Sequence, residues 1–566
     1  MSSEKAVFKS TIAGSTPILS KDGSTIGSVQ GSRILIRQQG SGQTEKQKDS
    51  NSVERIISVI DKADKISFSP DGTLILAAFY SRASIQVFSL LDEKFQCRIN
   101  EGISGCIDVT WAPDSRSILS ESDFGLQLSI WSLTDSTARI IQSPKVKGIR
   151  SFSNCGKLLA IVRRMELQDR IGLYNTEKWE ELSDFKCKSN DVNIIQFTPS
   201  GSHIITADSF LSYKLNIYTP SGDHVLCYEA YQNALGIRIP TVFYKSLKQF
   251  ESQIDSEDSI NSSAYSPSAQ LMAVGSFDGK IRLISMLSWQ LAFVFPLCHP
   301  RDMDAGLVDC EDPATFEMTI EMGEGSIDNG SLKGSSTVNL KFANGGSKGS
   351  KMLLSSVYAK KPLKSLPHNI PDPSSTKSIP HMGASWIGWS AEGTYLAARE
   401  DSYPRCLWIW QGLRAQLVTI IVQIEAITCA RWRPVSKVCL SDSDLEDIQD
   451  AYPLLAFCTG SSRVYFWTPT TGVSYVDIPK GEVPISAQSL QWFEDGKKLL
   501  IIGRESFCIC SVTFGIEKNE MVSLANATFE NSSLYKVPLS DINKRPPPST
   551  SSMAVTGASI STTQFD

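Results

Sequence analysis

Residues 66–72 read Ile-Ser-Phe-Ser-Pro-Asp-Gly, and residues 74–78 and 85–90 continue as Leu-Ile-Leu-Ala-Ala and Ile-Gln-Val-Phe-Ser-Leu. The Ser-Pro-Asp-Gly stretch is typical of a tight turn. Ser caps the corner, Pro presets φ, Asp accepts hydrogen bonds from its own backbone and Gly closes the turn. The apolar runs on either side have the length and alternation of β-strands. The sequence therefore predicts a strand, a four-residue turn and two further strands.

The same pattern occurs nine times in the 566 residues, at a spacing of roughly 40 residues in the clearest copies. The fourth turn position is occupied in turn by Gly23, Gly72, Ser115, Gly156, Gly201, Ala269, Gly393, Ser436 and Gly496. Such a repeat is typical of a β-propeller blade, which must stack on its neighbours to bury both faces. The sequence predicts an all-β propeller over residues 7–530, built as one wide ring of eight to nine four-stranded blades. Two incomplete propellers are the alternative.

An aromatic residue stands just before the turn in most copies, and a ring in the same place in each blade predicts packing between neighbouring sheets. These residues are Phe68, Trp111, Phe152, Phe197, Tyr265, Trp389, Trp432 and Trp492. The Trp-Asp dipeptide of typical WD repeats is absent, and five histidines leave no room for the usual Gly-His element. We therefore expect the blades to be held by packing alone, without the hydrogen-bond tetrad of typical blades.

Wider spacing between the later copies marks inserts. Residues 299–380 contain Gly-Ser runs and a Pro-rich stretch, residues 437–451 are acidic, and residues 532–566 are rich in Pro, Ser and Thr. Because these compositions cannot bury enough apolar surface to fold alone, we expect a flexible insert within the propeller, an acidic loop and a disordered tail. Ser441 and Ser443 lie among the acids of that loop and are candidate phosphorylation sites, with a merely solvated loop as the alternative.

Composition restricts the class of function. The chain is 41% hydrophobic and 20% charged, which is typical of a globular protein. Its net charge of −5 argues against a general nucleic-acid binder, and no apolar run is long enough to span a bilayer. The short basic run at residues 145–147 is interpreted as a solvated loop. We expect neither nucleic acid nor a membrane as a direct partner.

The sequence contains no catalytic or metal-binding constellation. Residues 123–125 spell the Asp-Phe-Gly triplet of kinases, but no Gly-rich loop with a following Lys accompanies it. The thirteen cysteines show no zinc-like spacing, and the histidines are isolated. A propeller enzyme would need acids along its channel, whereas the first strands carry mainly Ser, Val and Ile. We predict a protein that is not an enzyme and has no catalytic residue, metal or cofactor.

Several phrases are more specific than the repeat itself. They include Tyr-Glu-Ala-Tyr-Gln-Asn-Ala-Leu-Gly-Ile at 228–237, Gly-Ser-Phe-Asp-Gly-Lys-Ile-Arg at 275–282 and Cys-Thr-Gly-Ser-Ser-Arg-Val-Tyr-Phe-Trp at 458–467. In this order they resemble the centrosomal and spindle-pole WD-repeat family known as WD-repeat protein eight, over about residues 7–514. The inserts and the Pro/Ser/Thr-rich tail depart from the pattern of that family.

The resemblance implies a non-enzymatic adaptor at a microtubule-organising centre of the cytoplasm, either the centrosome or the spindle pole. Members of the family bind a coiled-coil anchoring protein, tether microtubule minus ends and support spindle assembly. A minus-end-directed kinesin and γ-tubulin components are further expected partners. The alternative function is that of a translation-initiation propeller, which contacts the ribosome or RNA and would show a basic face and a helical C-terminal extension.

Candidate binding residues lie within the family-matched phrases. Tyr228 and Tyr231 cluster where Gly236 permits a tight turn, and clustered Tyr side chains are typical of binding hot spots. The alternative is a fourth, outer strand packed on the blade. Asp278 and Gly279 have the residue types of a two-residue hairpin turn and are the second candidate contact.

Overall fold

The computed structural model describes most of the nine repeats and parts of the large insert. The described residues are 17–38, 55–145, 149–208, 214–229, 237–243, 271–297, 308–311, 354–355, 358–360, 366–367, 383–434, 453–478, 485–516 and 522–529, apart from residues 22, 190, 413 and 505. They form nine sheets, each built on four consecutive antiparallel strands. We number these sheets as blades 1–9.

Each blade runs from its first strand, which lines the central channel, to its fourth strand at the rim. Blade 1 contains β1 (Ile18–Leu19), β2 (Thr25–Gln30), β3 (Arg33–Gln38) and β4 (Arg55–Ser58). Blade 2 contains β5 (Lys65–Phe68), β6 (Leu74–Phe79), β7 (Ser84–Ser89) and β8 (Gln96–Asn100). Blade 3 contains β9 (Asp108–Trp111), β10 (Ser117–Glu121), β11 (Gln127–Ser132) and β12 (Ala138–Gln142). Blade 4 contains β13 (Arg150–Phe152), β14 (Leu158–Met165), β15 (Gln168–Asn175) and β16 (Glu181–Lys186).

The remaining blades follow the same order. Blade 5 contains β17 (Val192–Phe197), β18 (Ile204–Asp208), β19 (Lys214–Tyr218) and β20 (His224–Glu229), and blade 6 contains β21 (Ile237–Phe243), β22 (Leu271–Ser276), β23 (Lys280–Ser285) and β24 (Leu291–Pro296). Three short strands of the insert are β25 (Val308–Glu311), β26 (Leu354–Ser355) and β27 (Tyr358–Lys360). Blade 7 contains β28 (Ala384–Trp389), β29 (Tyr395–Glu400), β30 (Cys406–Gln411) and β31 (Gln416–Val422). Blade 8 contains β32 (Cys429–Trp432), β33 (Leu455–Cys458), β34 (Arg463–Thr468) and β35 (Gly472–Asp477), and blade 9 contains β36 (Ser489–Trp492), β37 (Lys498–Ile502), β38 (Phe507–Ile516) and β39 (Val522–Phe529). Three short 3-10 turns are Tyr80–Arg82, Gly102–Ser104 and Asp123–Gly125.

The ring closes between blade 1 and blade 9. Ile26 of β2 lies in one buried cluster with Leu500 of β37 and Phe507 of β38, and the guanidinium of Arg37 lies 5.7 Å from the centre of the Phe507 ring. Blades 1 and 9 each consist of consecutive strands, so the described strands close the ring by side-chain packing rather than by strand exchange. The prediction of one wide ring is confirmed with nine blades, and the alternative of two incomplete propellers is excluded.

The turn chemistry is confirmed in detail. Gly72 has a φ of 72° and donates its N–H to the carbonyl of Ser69, while the Ser69 hydroxyl accepts a hydrogen bond from the backbone of Leu74 at 2.9 Å. The same hydrogen bond, from a backbone N–H to the hydroxyl five residues earlier, occurs in four other blades. The donors and acceptors are Thr25 and Ser20, Leu158 and Ser153, His203 and Thr198, and Tyr395 and Ser390. Because φ is positive at the fourth position, Gly is the residue that adopts it without strain.

The predicted packing of aromatic side chains between sheets is also confirmed, and three tryptophans add a bond that the pattern did not predict. The indole N–H donates to a backbone carbonyl of the preceding blade: Trp111 to Ser67 at 3.2 Å, Trp432 to Gly388 at 2.8 Å and Trp492 to Arg431 at 3.1 Å. In each case the acceptor is the residue just before the aromatic position of the neighbouring blade: Ser67 before Phe68, Gly388 before Trp389 and Arg431 before Trp432. Tyr265 lies outside the described residues.

Replacement of Trp111 with Phe is expected to lower the free energy of unfolding by about 1 kcal/mol, the net contribution of one hydrogen bond. Phe occupies the equivalent position in blade 2, so the ring itself is accommodated. Trp111→Ala, which also removes the buried ring, is expected to cost about 3–5 kcal/mol. Urea denaturation of both variants checks this, and equal losses would contradict a separate role for the indole bond.

The insert strands extend two blades at the rim. β25 pairs in parallel with β31, β27 pairs with β25, and β26 pairs with β35. The buried Glu311 accepts hydrogen bonds from the Tyr465 hydroxyl at 2.9 Å and from the Ile424 backbone at 3.1 Å, so β25 contacts blades 7 and 8 together. The prediction that residues 299–380 are flexible is wrong for these strands. Composition could not predict them, because their partners are the blade edges rather than other residues of the insert.

Burial raises the pKa of Glu311. The pKa of a glutamate in the unfolded state is about 4.3. At pH values between this pKa and the raised pKa of the folded state, the folded protein binds more protons than the unfolded chain. The contribution of Glu311 to stability therefore falls as pH rises through this range. Replacement of Glu311 with Gln removes this loss and keeps both neighbours hydrogen-bonded. We therefore expect the stability of Glu311→Gln relative to the wild type to increase from pH 4 to pH 7, as measured by thermal unfolding. Parallel curves of stability against pH for Glu311→Gln and the wild type would contradict the prediction.

Candidate protein-interaction surface

The structure places Tyr228 in β20, the fourth strand of blade 5, opposite Leu215. The side chain is half-buried and packs against the apolar cluster shared by blades 5 and 6, which includes Met272 and Val274. The outer-strand interpretation therefore describes Tyr228. Tyr231 and Gly236 lie outside the described residues, as do Ser441 and Ser443, and these four stay predictions. Phosphate on the two serines is testable by mass spectrometry of the protein from dividing cells.

Asp278 and Gly279 form the predicted turn between β22 and β23, with φ of 70° at Gly279. The Asp278 carboxylate accepts a hydrogen bond from Arg282 at 2.7 Å, and the same guanidinium donates to the Ser276 hydroxyl at 2.8 Å. A Cβ on Gly279 would lie 3.1 Å from the carboxylate of Glu400 in blade 7. The turn thus stabilises blade 6 and its contact with blade 7. Tyr228 lies apart from it, on the outermost strand of another blade.

The antiparallel order of the strands gives the ring two different faces. The Ser-Pro-Asp-Gly turns and the turns between third and fourth strands lie on one face, which we call the lower face. The turns between second and third strands lie on the other, together with the connections from each blade to the next. We call this the upper face, and the turn at Asp278 and Gly279 belongs to it.

Charged side chains link blades 2, 3 and 4 where their first strands begin at the upper face. Lys65 contacts Asp108 at 2.8 Å, and Arg150 contacts Asp108 at 3.1 Å and Glu121 at 3.3 Å. Lys65 also donates to the Val109 carbonyl at 2.7 Å. The expectation that first strands carry mainly Ser, Val and Ile is wrong here. The channel-mouth carboxylate of Asp108 is held by two cations, which fits a structural role.

A second charged network joins blade 4 to blade 5. The ammonium of Lys145 lies 2.7 Å from Asp169 and 2.6 Å from Asp191, and it donates to the Val192 carbonyl at 2.5 Å. The side chain of Asp169 is 0% exposed and that of Lys145 is 12% exposed. The interpretation of residue 145 as part of a solvated loop is therefore wrong, and so is the expectation that packing alone holds the blades. Between these blades, the ion pairs of Lys145 with Asp169 and Asp191, which are 24 and 46 positions further along the chain, take the place of the missing hydrogen-bond tetrad.

The buried thiols of the described residues are poor candidates for a reactive centre, whereas a hydrogen bond with Ser153 lowers the pKa of the exposed Cys155. All eleven described cysteines are free, and burial raises the pKa of Cys106 to about 11 and those of Cys406 and Cys458 to about 12. These thiols are protonated at neutral pH and are weak nucleophiles. Within the same described ranges, no three His, Cys, Asp or Glu side chains are grouped closely enough to hold a metal ion, and no helix has the length and apolarity to cross a bilayer.

The nine-bladed ring makes this chain a β-propeller protein. Its fold is that of the WD-repeat propellers, which typically serve as non-enzymatic scaffolds for protein interactions. The family model "WD domain, G-beta repeat" matches residues 245–285, which include β22 and β23. Along most of its length the chain is similar to the WD repeat-containing protein WRAP73 of Mus musculus. The two are 27% identical over 463 residues, which cover 81% of this chain and 86% of the mouse protein.

Proposed function

We propose that this protein is an adaptor of the centrosome or spindle pole that binds a coiled-coil anchoring protein and tethers microtubule minus ends. The observation that carries the proposal is the order of the phrases at 228–237, 275–282 and 458–467, which resemble the spindle-pole WD-repeat family. Similarity to WRAP73 along 86% of that protein supports a relative of the same domain organisation. A minus-end-directed kinesin and γ-tubulin components are the further proposed partners.

The physical properties of the ring suit an adaptor. Indole bonds and ion pairs connect neighbouring blades, so the loops of the upper face are held in fixed relative positions. A rigid surface loses little conformational entropy when a partner binds, and this favours recognition of helical or extended segments. Coiled-coil proteins offer such segments. The adaptor would thereby support spindle assembly without chemistry of its own.

The translation-initiation alternative requires a basic face for RNA. The upper-face loops at residues 101–107, 122–126 and 165–167 contain three acids, Glu101, Asp123 and Glu166, and neither Lys nor Arg. Because phosphate backbones are bound through Lys and Arg, this surface favours a protein partner.

Proximity labelling by the tagged full-length protein in dividing cells tests the proposal. We expect it to label a coiled-coil protein and γ-tubulin components, and we expect depletion to release microtubule minus ends from the spindle poles. A tagged WD-repeat propeller of similar size, unrelated in its specific phrases, is the control. Ribosomal subunits that sediment with the protein at moderate salt, with no coiled-coil protein labelled, would instead favour the translation alternative.

A further inference from the structure

Four apolar side chains project into solvent from the upper face of blades 2–4. Ile103 is 107% exposed, Phe124 is 86% exposed, Leu167 is 87% exposed and Leu126 is 60% exposed. We call these four residues the apolar patch. Since they remain in water after folding, they contribute almost nothing to the core. Large exposed apolar side chains grouped on one face mark interaction surfaces.

The loops that carry the patch are in contact with one another. A Cβ on Gly105 would clash with the Asp123 carboxylate, so the connection that carries Ile103 lies against the loop that carries Phe124. The Leu126 carbonyl accepts a hydrogen bond from the Ser143 backbone at 3.1 Å. Ser143 in turn accepts one from Arg164, which precedes the hairpin of Leu167. The loops that carry the four side chains therefore adjoin one another across three blades.

The backbone of these loops is fixed in conformations that cost energy for residues other than Gly. Phe124 has a φ of 59°, and Glu166 and Leu167, the two residues at the tip of their hairpin, have φ of 51° and 63°. The Ser122 hydroxyl bonds both the N–H and the carbonyl of Gln127, at 2.8 and 2.9 Å. Strained backbone of this kind is retained where its surroundings determine it, and it clusters at functional surfaces.

The connection before blade 3 is also anchored. The Glu101 carboxylate accepts hydrogen bonds from the Trp131 indole at 2.5 Å and from the Ser129 hydroxyl at 3.0 Å. These bonds hold the segment that leads to Ile103. The apolar side chains are thus presented from a preorganised surface, which lowers the entropic cost of binding.

The charge beside the patch is negative. Asp123 and Glu166 flank Phe124 and Leu167 in sequence, and in the described part of the chain neither forms a salt bridge. Arg164, two residues before Glu166, is already paired with Asp169 and Asp191, at 3.5 and 3.3 Å. Arg170, which interacts electrostatically with Glu166, is paired with Asp184 at 2.5 Å. An acidic border disfavours RNA and anionic membranes. It favours a protein segment that carries Lys or Arg beside its apolar residues.

We propose that the apolar patch docks an amphipathic helix of the partner, with Lys or Arg residues beside its apolar stripe. The patch consists of separate side chains on loops, with no strand edge to pair an extended peptide, whereas a helix presents apolar residues at successive turns. The inference rests on the proposed function, because a coiled-coil protein is the partner expected to supply such a helix. It adds which face of the ring binds, which residues of that face make the contact, and which charge the bound segment carries.

The first test compares recovery of coiled-coil proteins by the full-length chain and by the triple variant Ile103→Ser, Phe124→Asn and Leu167→Asn. Asn tolerates the positive φ of the latter two positions. The matched control is Leu91→Ser, since Leu91 is 82% exposed on the lower face of blade 2. We expect the triple variant to lose the coiled-coil protein and the control to retain it, with unchanged thermal unfolding of both. Equal recovery by the triple variant would overturn this inference and leave the proposed function standing. Failure of the wild type to recover any coiled-coil protein would overturn both.

The second test identifies the bound segment. A photoreactive phenylalanine analogue at position 124, and at position 91 as control, is cross-linked in cells and the attached peptides are sequenced. We expect position 124 to attach to helical heptad segments with flanking Lys or Arg. A synthetic peptide of that segment should bind the triple variant roughly 100-fold more weakly and Glu166→Lys roughly tenfold more weakly, as measured by fluorescence anisotropy at low salt. Attachment to RNA, to an acidic segment or to a second copy of this chain would contradict the proposal.

Discussion

Replacement of Lys145 with Met is expected to lower the free energy of opening of blades 4 and 5 by about 3–5 kcal/mol. The ammonium contacts Asp169 at 2.7 Å, and that carboxylate is 0% exposed. The variant would leave a buried anion without its nearest cation, and the Arg164 guanidinium at 3.5 Å and the Val192 N–H at 2.7 Å compensate only part of its charge. Native-state hydrogen exchange of β14, β15 and β17 is the measurement, because it reports opening of individual blades in a chain of this size.

The chain offers a matched control for this prediction. Arg164 pairs with the same two carboxylates, at 3.5 Å from Asp169 and 3.3 Å from Asp191, but its side chain is 42% exposed. Arg164→Met should therefore cost less than about 1 kcal/mol, as exposed ion pairs do. The double variant Lys145→Met and Asp169→Asn should recover part of the loss, since it removes the stranded charge. Equal effects of Lys145→Met and Arg164→Met would show that burial does not govern this network.

The sequence could predict those features of the fold that depend on local chemistry. The turn of Ser69 to Gly72 needs a side-chain acceptor, a preset φ and a residue with positive φ, and all three are written in four consecutive residues. The aromatic position at Phe68 and Trp111 recurs at a fixed distance from that turn. Repetition of such local signals is sufficient to define the blades.

Features that depend on contacts between blades could not be predicted in the same way. Lys145 and Asp169 belong to one ion pair only because blades 4 and 5 stack, and a short basic run gives no sign of this. The apolar patch has the same origin. Ile103 and Leu167 are ordinary apolar residues in the sequence, and only the common orientation of loops in blades 2–4 places them on one exposed surface. The insert strand β25 likewise depends on an edge more than 100 residues away.

Ring closure is a further property that the repeat did not determine. A ring of nine blades has nine interfaces between neighbouring blades, and eight of them join blades that are consecutive in the chain. The ninth interface joins blades 1 and 9 through side chains of β2, β3, β37 and β38. Burial lowers the pKa of Arg37 to about 10, yet this guanidinium stays charged at neutral pH beside the Phe507 ring and donates to Ser28 at 2.8 Å. A cation held over an aromatic face adds to the apolar contact.

We therefore expect Phe507→Ala to weaken closure by about 3–5 kcal/mol, through loss of a buried ring and of the cation–π contact of Arg37. Hydrogen exchange should accelerate in β2, β3, β37 and β38, while blades 4–6 keep their protection. Phe197→Ala is the matched control: this ring is buried in the cluster shared by blades 4 and 5, which consecutive chain connects. It should destabilise those two blades and leave blades 1 and 9 unchanged. If Phe507→Ala instead accelerated exchange equally in all blades, the ring would open as one cooperative unit, and the closing contact would not be a separate point of weakness.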